Sequence, residues 1–457
     1  MKIIKKAVSV LAIAAVIISL SGCSFRFASF DELLRPPKLL GEYQGLQDSF
    51  EKAVGDEYTL CTPESGEYRS AFVTFDIDSD GDEEAFVFYI SAKKPDTVSF
   101  IYFNFVDGKW NPVSSNDGSG NSVDKIIFTD LDCDGTFEII IGWSVLSGKN
   151  NKTFISYAVR DGKIIQMNSY PYAYLGILDI NGDGIEDVFS LTIDSSVPEN
   201  LSGYARVYNF NSPKLTLNIL SEARTDGNVS SYSSVKTETS GDTNYIYVEA
   251  LKGEHDSVTE LLYWDDETSR LISPLFDAET QTTKFSWRNI PINCYDIDSD
   301  GFLEIPTSVE MKGSSSISDM EQNDSNELLS ENLYFIKWVN YSNGRLKPVQ
   351  YSVINDTFGY MLNIQSSWVG RITVISVDGQ WSFYRWISGS NEIGELLFNI
   401  DVYSKNDKTA DISEKKELIS SGDKNFYYSI TDAGKEFGVT DKIIKEKFSI
   451  NDFGGAK

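Results

Sequence analysis

The sequence predicts a mainly β protein: a β-propeller of about five four-stranded blades with cation loops, preceded by a helix and followed by a small α+β domain. Three observations lead there. An acidic nine-residue loop occurs four times at one spacing. Short apolar runs separated by turn residues recur with a period of about fifty residues, four runs to a repeat. The chain of 457 residues is 41% hydrophobic and 13% aromatic, enough for a large core and too long for one ordinary domain.

The first loop holds Asp76, Asp78, Asp80, Gly81 and Glu84, and the second Asp130, Asp132, Asp134, Gly135 and Glu138. The third holds Asp179, Asn181, Asp183, Gly184 and Asp187, and the fourth Asp296, Asp298, Asp300, Gly301 and Glu304. Each reads D-x-[DN]-x-D-G-x-x-[DE] between apolar residues, such as Phe72, Val73 and Phe75 before the first and Ala85, Phe86 and Val87 after it. Calcium takes about six to eight oxygens, and alternate residues of a tight loop aim carboxylates at one centre. Glycine at the sixth position permits a turn that a Cβ would strain. The acid at the ninth closes the cage. The pattern therefore predicts about four Ca2+ sites. An EF-hand begins the same way but needs a ligand at position twelve and flanking helices. Here that position holds Val87, Ile141, Ser190 and Thr307, between β-type flanks.

At the N-terminus, Lys2, Lys5 and Lys6 precede an apolar run over 7–20, the layout of a secretory signal and too short for a comfortable span. Leu20-Ser21-Gly22-Cys23 resembles the bacterial lipobox. The resemblance implies cleavage of segment 1–22, a lipid on Cys23, and a protein tethered at the extracytoplasmic face of the membrane. An ordinary signal peptide with an incidental Cys is the alternative. Residues 23–37 read as the tether, and 38–67 as an N-terminal helical segment in which Leu40, Tyr43, Leu46, Phe50 and Val54 step by three and four.

Loop starts at 76, 130, 179 and 296 are 54, 49 and 117 residues apart, so one repeat lacks its loop. Region 228–277 supplies that repeat, with Ser240-Gly241-Asp242 where the acids would stand. In the second repeat the strands are expected at 125–130, 137–143, 153–159 and 163–167, with Asp161-Gly162 as a hairpin turn. The loops, most fully Asp179-Ile180-Asn181-Gly182-Asp183-Gly184-Ile185-Glu186-Asp187, resemble the calcium loop of FG-GAP/VCBS repeats of integrin-type β-propellers. That resemblance implies calcium bound between the first two strands of a blade, over residues 68–353. The chain departs from the family in its ligand-free fourth repeat and in having about five blades rather than about seven. The layout also resembles lipoproteins of Gram-positive, clostridial-type bacteria.

Stretch 313–331, rich in Ser, Asn and Asp, reads as a mobile insert. The C-terminal α+β domain is placed at 354–457, with strands at 360–364, 371–377, 381–386, 396–403 and 426–430, a polar loop at 405–423 and a helix at 440–448.

The formal charge of −28 becomes −31 once 1–22 and their three lysines are removed, which argues against nucleic acid as partner. Four cysteines, three of them after Cys23 without zinc-like spacing, do not make a disulfide framework. His255 is the only histidine and lies in a polar turn, so His-dependent catalysis has little to work with. Glycoside hydrolysis needs only two placed carboxylates and is the enzymatic alternative. The expected role is a binding or scaffolding module, not an enzyme, for an extracellular protein or glycan, with structural calcium. Trp110, Trp264 and Trp338 are either sugar platforms or blade interior.

Overall fold

The computed structural model describes residues 44–55, 57–145, 152–194, 201–322, 328–407 and 410–450. The expected signal segment, Cys23 and the tether lie outside the described residues. The amphipathic helix runs over Gln44–Val54 and stops at Gly55, whose φ of 65° only glycine adopts freely. Its apolar face buries Leu46 and Phe50 against Ala85, Val87, Ile101 and Phe103 of the first sheet.

Five antiparallel meanders follow in chain order. The first comprises Phe72–Phe75, Glu84–Ser91, Val98–Val106 and Lys109–Asp117, with Tyr58–Leu60 added beside Glu84–Ser91. The second comprises Ser122–Thr129, Glu138–Ser144, Lys152–Arg160 and Lys163–Tyr172, close to the expected strands. Asp161 and Gly162 form its last turn, both at positive φ, which suits the twist of a two-residue hairpin. The third comprises Tyr174–Leu178, Asp187–Asp194, Ser202–Asn211 and Thr216–Thr225. The fourth comprises Ser231–Ser240, Thr243–Lys252, Asp256–Asp265 and Arg270–Ile272, and a short turn at Gly241-Asp242 replaces the acidic loop. The fifth comprises Ile305–Glu310, Tyr334–Ser342, Arg345–Asn355 and Tyr360–Ile364, extended by Phe448–Ile450.

Neighbouring sheets pack face to face. Ile139 and Ile141 join Phe86, Phe88 and Phe100 of the first sheet, whereas Ile140 faces Val188 and Tyr208 of the third. A strand buried on both faces must be apolar throughout, which is why Ile139-Ile140-Ile141 does not alternate. Ile246 and Val248 continue the stack from third sheet to fourth, Tyr247 and Leu261 from fourth to fifth, and Phe335 and Val353 from fifth to last. Among the described residues no hydrophobic cluster joins the last sheet to the first, and the helix occupies the outer face of the first sheet. The architecture is therefore a series of stacked antiparallel sheets, with no closed ring among these contacts.

The C-terminal region differs from the expectation in particulars. The boundary at 354 falls inside strand Arg345–Asn355, and Tyr360–Ile364 pairs with that strand. One core holds Phe335, Val353 and Leu362 of the fifth sheet together with Val374, Trp381, Phe383 and Phe398 of the sixth. Stretch 313–331 contributes strands Ser315–Gln322 and Leu328–Glu331, the former parallel to Ile372–Val377. Loop 405–423 contains strand Lys416–Ser421. Two helices, Asp432–Phe437 and Asp441–Lys447, are capped by Thr431 and Thr440 hydroxyls that accept from Gly434 and Ile443 N–H.

Of Trp110, Trp264 and Trp338, the first and last are buried. Trp338 is 2% exposed and donates Nε1 to Ser352 Oγ at 3.0 Å. Trp110 is 8% exposed against Phe105, and half-buried Trp264 packs on the cluster between the third and fourth sheets.

Candidate metal centres

Each of the first three acidic loops joins the first two strands of its sheet. The fourth sits between Tyr295, bridged to Glu304, and Ile305–Glu310. A shared hydrogen-bond pattern shapes them. In the first, second and fourth loops the leading aspartate accepts the N–H of positions five and six: Asp76 from Asp80 and Gly81, Asp130 from Asp134 and Gly135, and Asp296 from Asp300 and Gly301. Asp179 accepts from Gly182 and Gly184. The acid at position nine reaches back to the N–H of position two: Glu84 to Ile77 at 2.9 Å, Glu138 to Leu131 at 3.1 Å, Asp187 to Ile180 at 3.2 Å and Glu304 to Ile297 at 3.0 Å. Asp80, Asp134, Asp183 and Asp300 each cap the N–H two residues on. Position six has φ of 96°, 85°, 83° and 92° in turn, so glycine is required there.

Three loops gather acid oxygens. Asp76, Asp78 and Glu84 each place one within 4.8 Å of the others, as do Asp130, Asp132 and Glu138, and Asp296, Asp298 and Asp300. These three clusters can hold a metal ion. The third loop is not among the clusters of three acids. Its second ligand position is the amide Asn181, which donates to Asp183 at 2.9 Å.

Electrostatics mark the closing acid. Burial, together with the neighbouring aspartates, pushes Glu84, Glu138 and Glu304 up to about 7 and Asp187 to about 6. Glu138 and Glu304 are 0% exposed, and Oε1 of each has no hydrogen-bond partner, nor has the buried Oδ1 of Asp132. A buried carboxylate oxygen without a donor is costly unless a cation takes it. All the donors are hard oxygens, the set suited to calcium, magnesium or manganese.

No soft or imidazole donor joins these clusters. Cys133, at position four of the second loop, is exposed; Cys61 is half-buried, Cys294 buried, and all three are free thiols. The His255 side chain is 81% exposed in its turn.

Several polar contacts were not visible in the motif. Glu238, from the ligand-free fourth sheet, accepts the N–H of Leu303 at 2.5 Å in the fourth loop. Asn244 donates to Asp179 C=O at 3.1 Å. Fully buried Arg288 pairs with Glu249, which also accepts the N–H of Cys294 at 2.6 Å. Glu260 accepts from Asp226 N–H at 2.9 Å and Thr283 Oγ1 at 2.5 Å, and Lys252 pairs with Asp226 at 2.7 Å. Acids at 249 and 260, set inside the apolar runs around Val248 and Leu261, were the available signal.

No family model matches the chain, and no curated protein matches it. Among solved structures it is similar to Sqt1 of Chaetomium thermophilum, at 10% identity and TM-score 0.28 over 69% of each chain. It is similar also to the exotype rhamnogalacturonan lyase YesX, at 11% identity and TM-score 0.24 over 71% of this chain and 61% of that one. A third likeness is to rhamnogalacturonan lyase YesW, at 12% identity and TM-score 0.25 over 63% of this chain and 69% of that one. At these scores the likenesses carry no argument about fold or function.

Proposed function

We propose that this chain is a calcium-stabilised, surface-tethered binding or scaffolding module. In this reading its stacked meanders act as propeller blades, the four acidic loops hold calcium, and a lipid on Cys23 anchors the protein at the outer membrane face. The observation that supports it best is the buried, partnerless Oε1 of Glu138, in a carboxylate within 4.8 Å of oxygens of Asp130 and Asp132. Bound calcium supplies the positive charge that these oxygens lack. The loops then fix the corner between the first two strands of three sheets and the Tyr295–Glu304 bridge ahead of the fifth, and the strong negative charge of the surface is partly offset. The clusters of three acids among the described residues are those of the loops, and cation binding accounts for them without a catalytic step. Partners are an extracellular protein or glycan, with nucleic acid disfavoured by charge.

The test is thermal melting of the chain in calcium and in chelator. A site filled only in the folded state stabilises by about 2.7 kcal/mol at a hundredfold excess of ligand. Chelator should lower the melting temperature and added calcium restore it. Melting indifferent to both would remove the reading.

A further inference from the structure

We infer that loops 76–84 and 130–138 take up cations cooperatively, because each is braced by the framework of the other. The inference rests on the calcium reading above. Phe137 N–H donates to Ile77 C=O at 2.8 Å, and Ser79 Oγ donates to Gly135 C=O at 2.8 Å. Ile77 and Ser79 are positions two and four of the first loop; Gly135 and Phe137 are positions six and eight of the second. None of the four supplies a carboxylate, so these bonds join two frameworks without sharing a ligand. Ile77 is the pivot. Its N–H donates to Glu84 Oε2 at 2.9 Å, while its C=O holds Phe137, the residue before Glu138. Below them Phe75 stacks on Phe128 at 4.4 Å and meets Phe137 edge-on at 4.8 Å, which gives both loops a common packed floor.

Two effects oppose each other. Like-charged ions in adjacent loops repel, which works against joint filling, while the acids favour each ion separately. The first loop carries Asp76, Asp78, Asp80, Asp82, Glu83 and Glu84, and the second Asp130, Asp132, Asp134 and Glu138. Each therefore stays negative after taking a dication and still attracts one, and solvent and salt around the exposed loop tips keep the ion–ion term small. Ordering acts the other way. An ion in the first loop fixes Ile77 and Ser79, and through them Gly135 and Phe137, so the second ion meets a loop already ordered. Ordering decides the sign, and the coupling is positive. The third loop meets the second sheet through side chains, Thr129 Oγ1 to Glu186 at 3.1 Å, and the fourth meets Glu238 of the ligand-free sheet. Weaker coupling is expected at both.

Hydrogen exchange of the full chain across a calcium titration reads each loop through its own peptide. In the wild type, peptides covering 74–91 and 128–145 gain protection together. Glu84→Gln moves the midpoint of the second loop to calcium higher by about fivefold or more, and Glu138→Gln does the same to the first, as reciprocal linkage requires. Ser79→Ala removes no ligand; it leaves both loops binding but spreads their midpoints. Midpoints of the second loop within about twofold of wild type in both Glu84→Gln and Ser79→Ala would overturn the coupling. Absence of calcium-dependent protection in the wild type would remove the cation reading as well, so the two failures are distinguishable.

Discussion

Glu138→Gln separates a cation ligand from an acid that merely braces its loop, because the two roles give opposite signs in chelator. Without cation, the buried carboxylate is held about 2.5 above its usual 4.5, at about 7. The folded value lies above the unfolded one, so the contribution of the protonated carboxyl is full below pH 4.5 and is lost as pH rises through 7. At pH 8 the charged form costs about 3 kcal/mol by that rise, and relaxation of the loop around the buried charge reduces this to about half. Glutamine keeps an oxygen for Leu131 N–H and removes the charge. In chelator at pH 8 the variant should therefore unfold at higher urea than wild type, by about 1 to 2 kcal/mol. In calcium the order should reverse, since an emptied site forfeits about 2.7 kcal/mol at a hundredfold excess. Urea unfolding followed by tryptophan fluorescence, with and without chelator, measures both. A variant weaker than wild type by the same amount in both buffers would refute the reasoning and leave Glu138 as a hydrogen-bond acceptor only.

Three further outcomes are expected. Glu260, fully buried and raised to about 7 first by burial, makes stability fall as pH rises from 4.5 through 7; Glu260→Gln should flatten urea midpoints measured between pH 5.5 and 8. Glu249→Gln leaves the 0% exposed Arg288 without its counter-charge and should cost about 3 to 5 kcal/mol, while Glu249→Gln with Arg288→Met should recover part of that loss in the same urea assay. Phe50→Ala empties a 0% exposed site bounded by Tyr58, Phe72 and Tyr89, and should cost about 3 to 5 kcal/mol, with exchange rising first in the helix Gln44–Val54 and the first sheet.

What could be read from the sequence was local. The loop acids lie within nine residues of one another, so spacing alone places them on one turn, and Gly81, Gly135, Gly184 and Gly301 occupy the positive-φ position the motif requires. The helix at Gln44–Val54 and the strands of the second sheet followed from periodicity, and Ser240-Gly241-Asp242 stands where an acidic loop would. What escaped was non-local. Nothing near Phe448–Ile450 signals that it pairs with Tyr360–Ile364, almost ninety residues earlier. Polar composition hid the strands Ser315–Gln322 and Lys416–Ser421, and the latter, at the edge of its sheet, needs no apolar face. The helix on the outer face of the first sheet is equally invisible in a repeat count, and it is the feature that sets this stack apart from a closed ring. Asn181 stands where the other loops have an aspartate, and as an amide it donates to Asp183, so the third loop gathers one carboxylate fewer.

The most direct test is a count of bound calcium on the chelator-stripped and reloaded chain, by equilibrium dialysis with elemental analysis. The account predicts about four ions per chain, one for each of the loops beginning at Asp76, Asp130, Asp179 and Asp296, and one fewer in Asp130→Asn. A chain that retains no calcium, or an Asp130→Asn variant that retains the full complement, would contradict it.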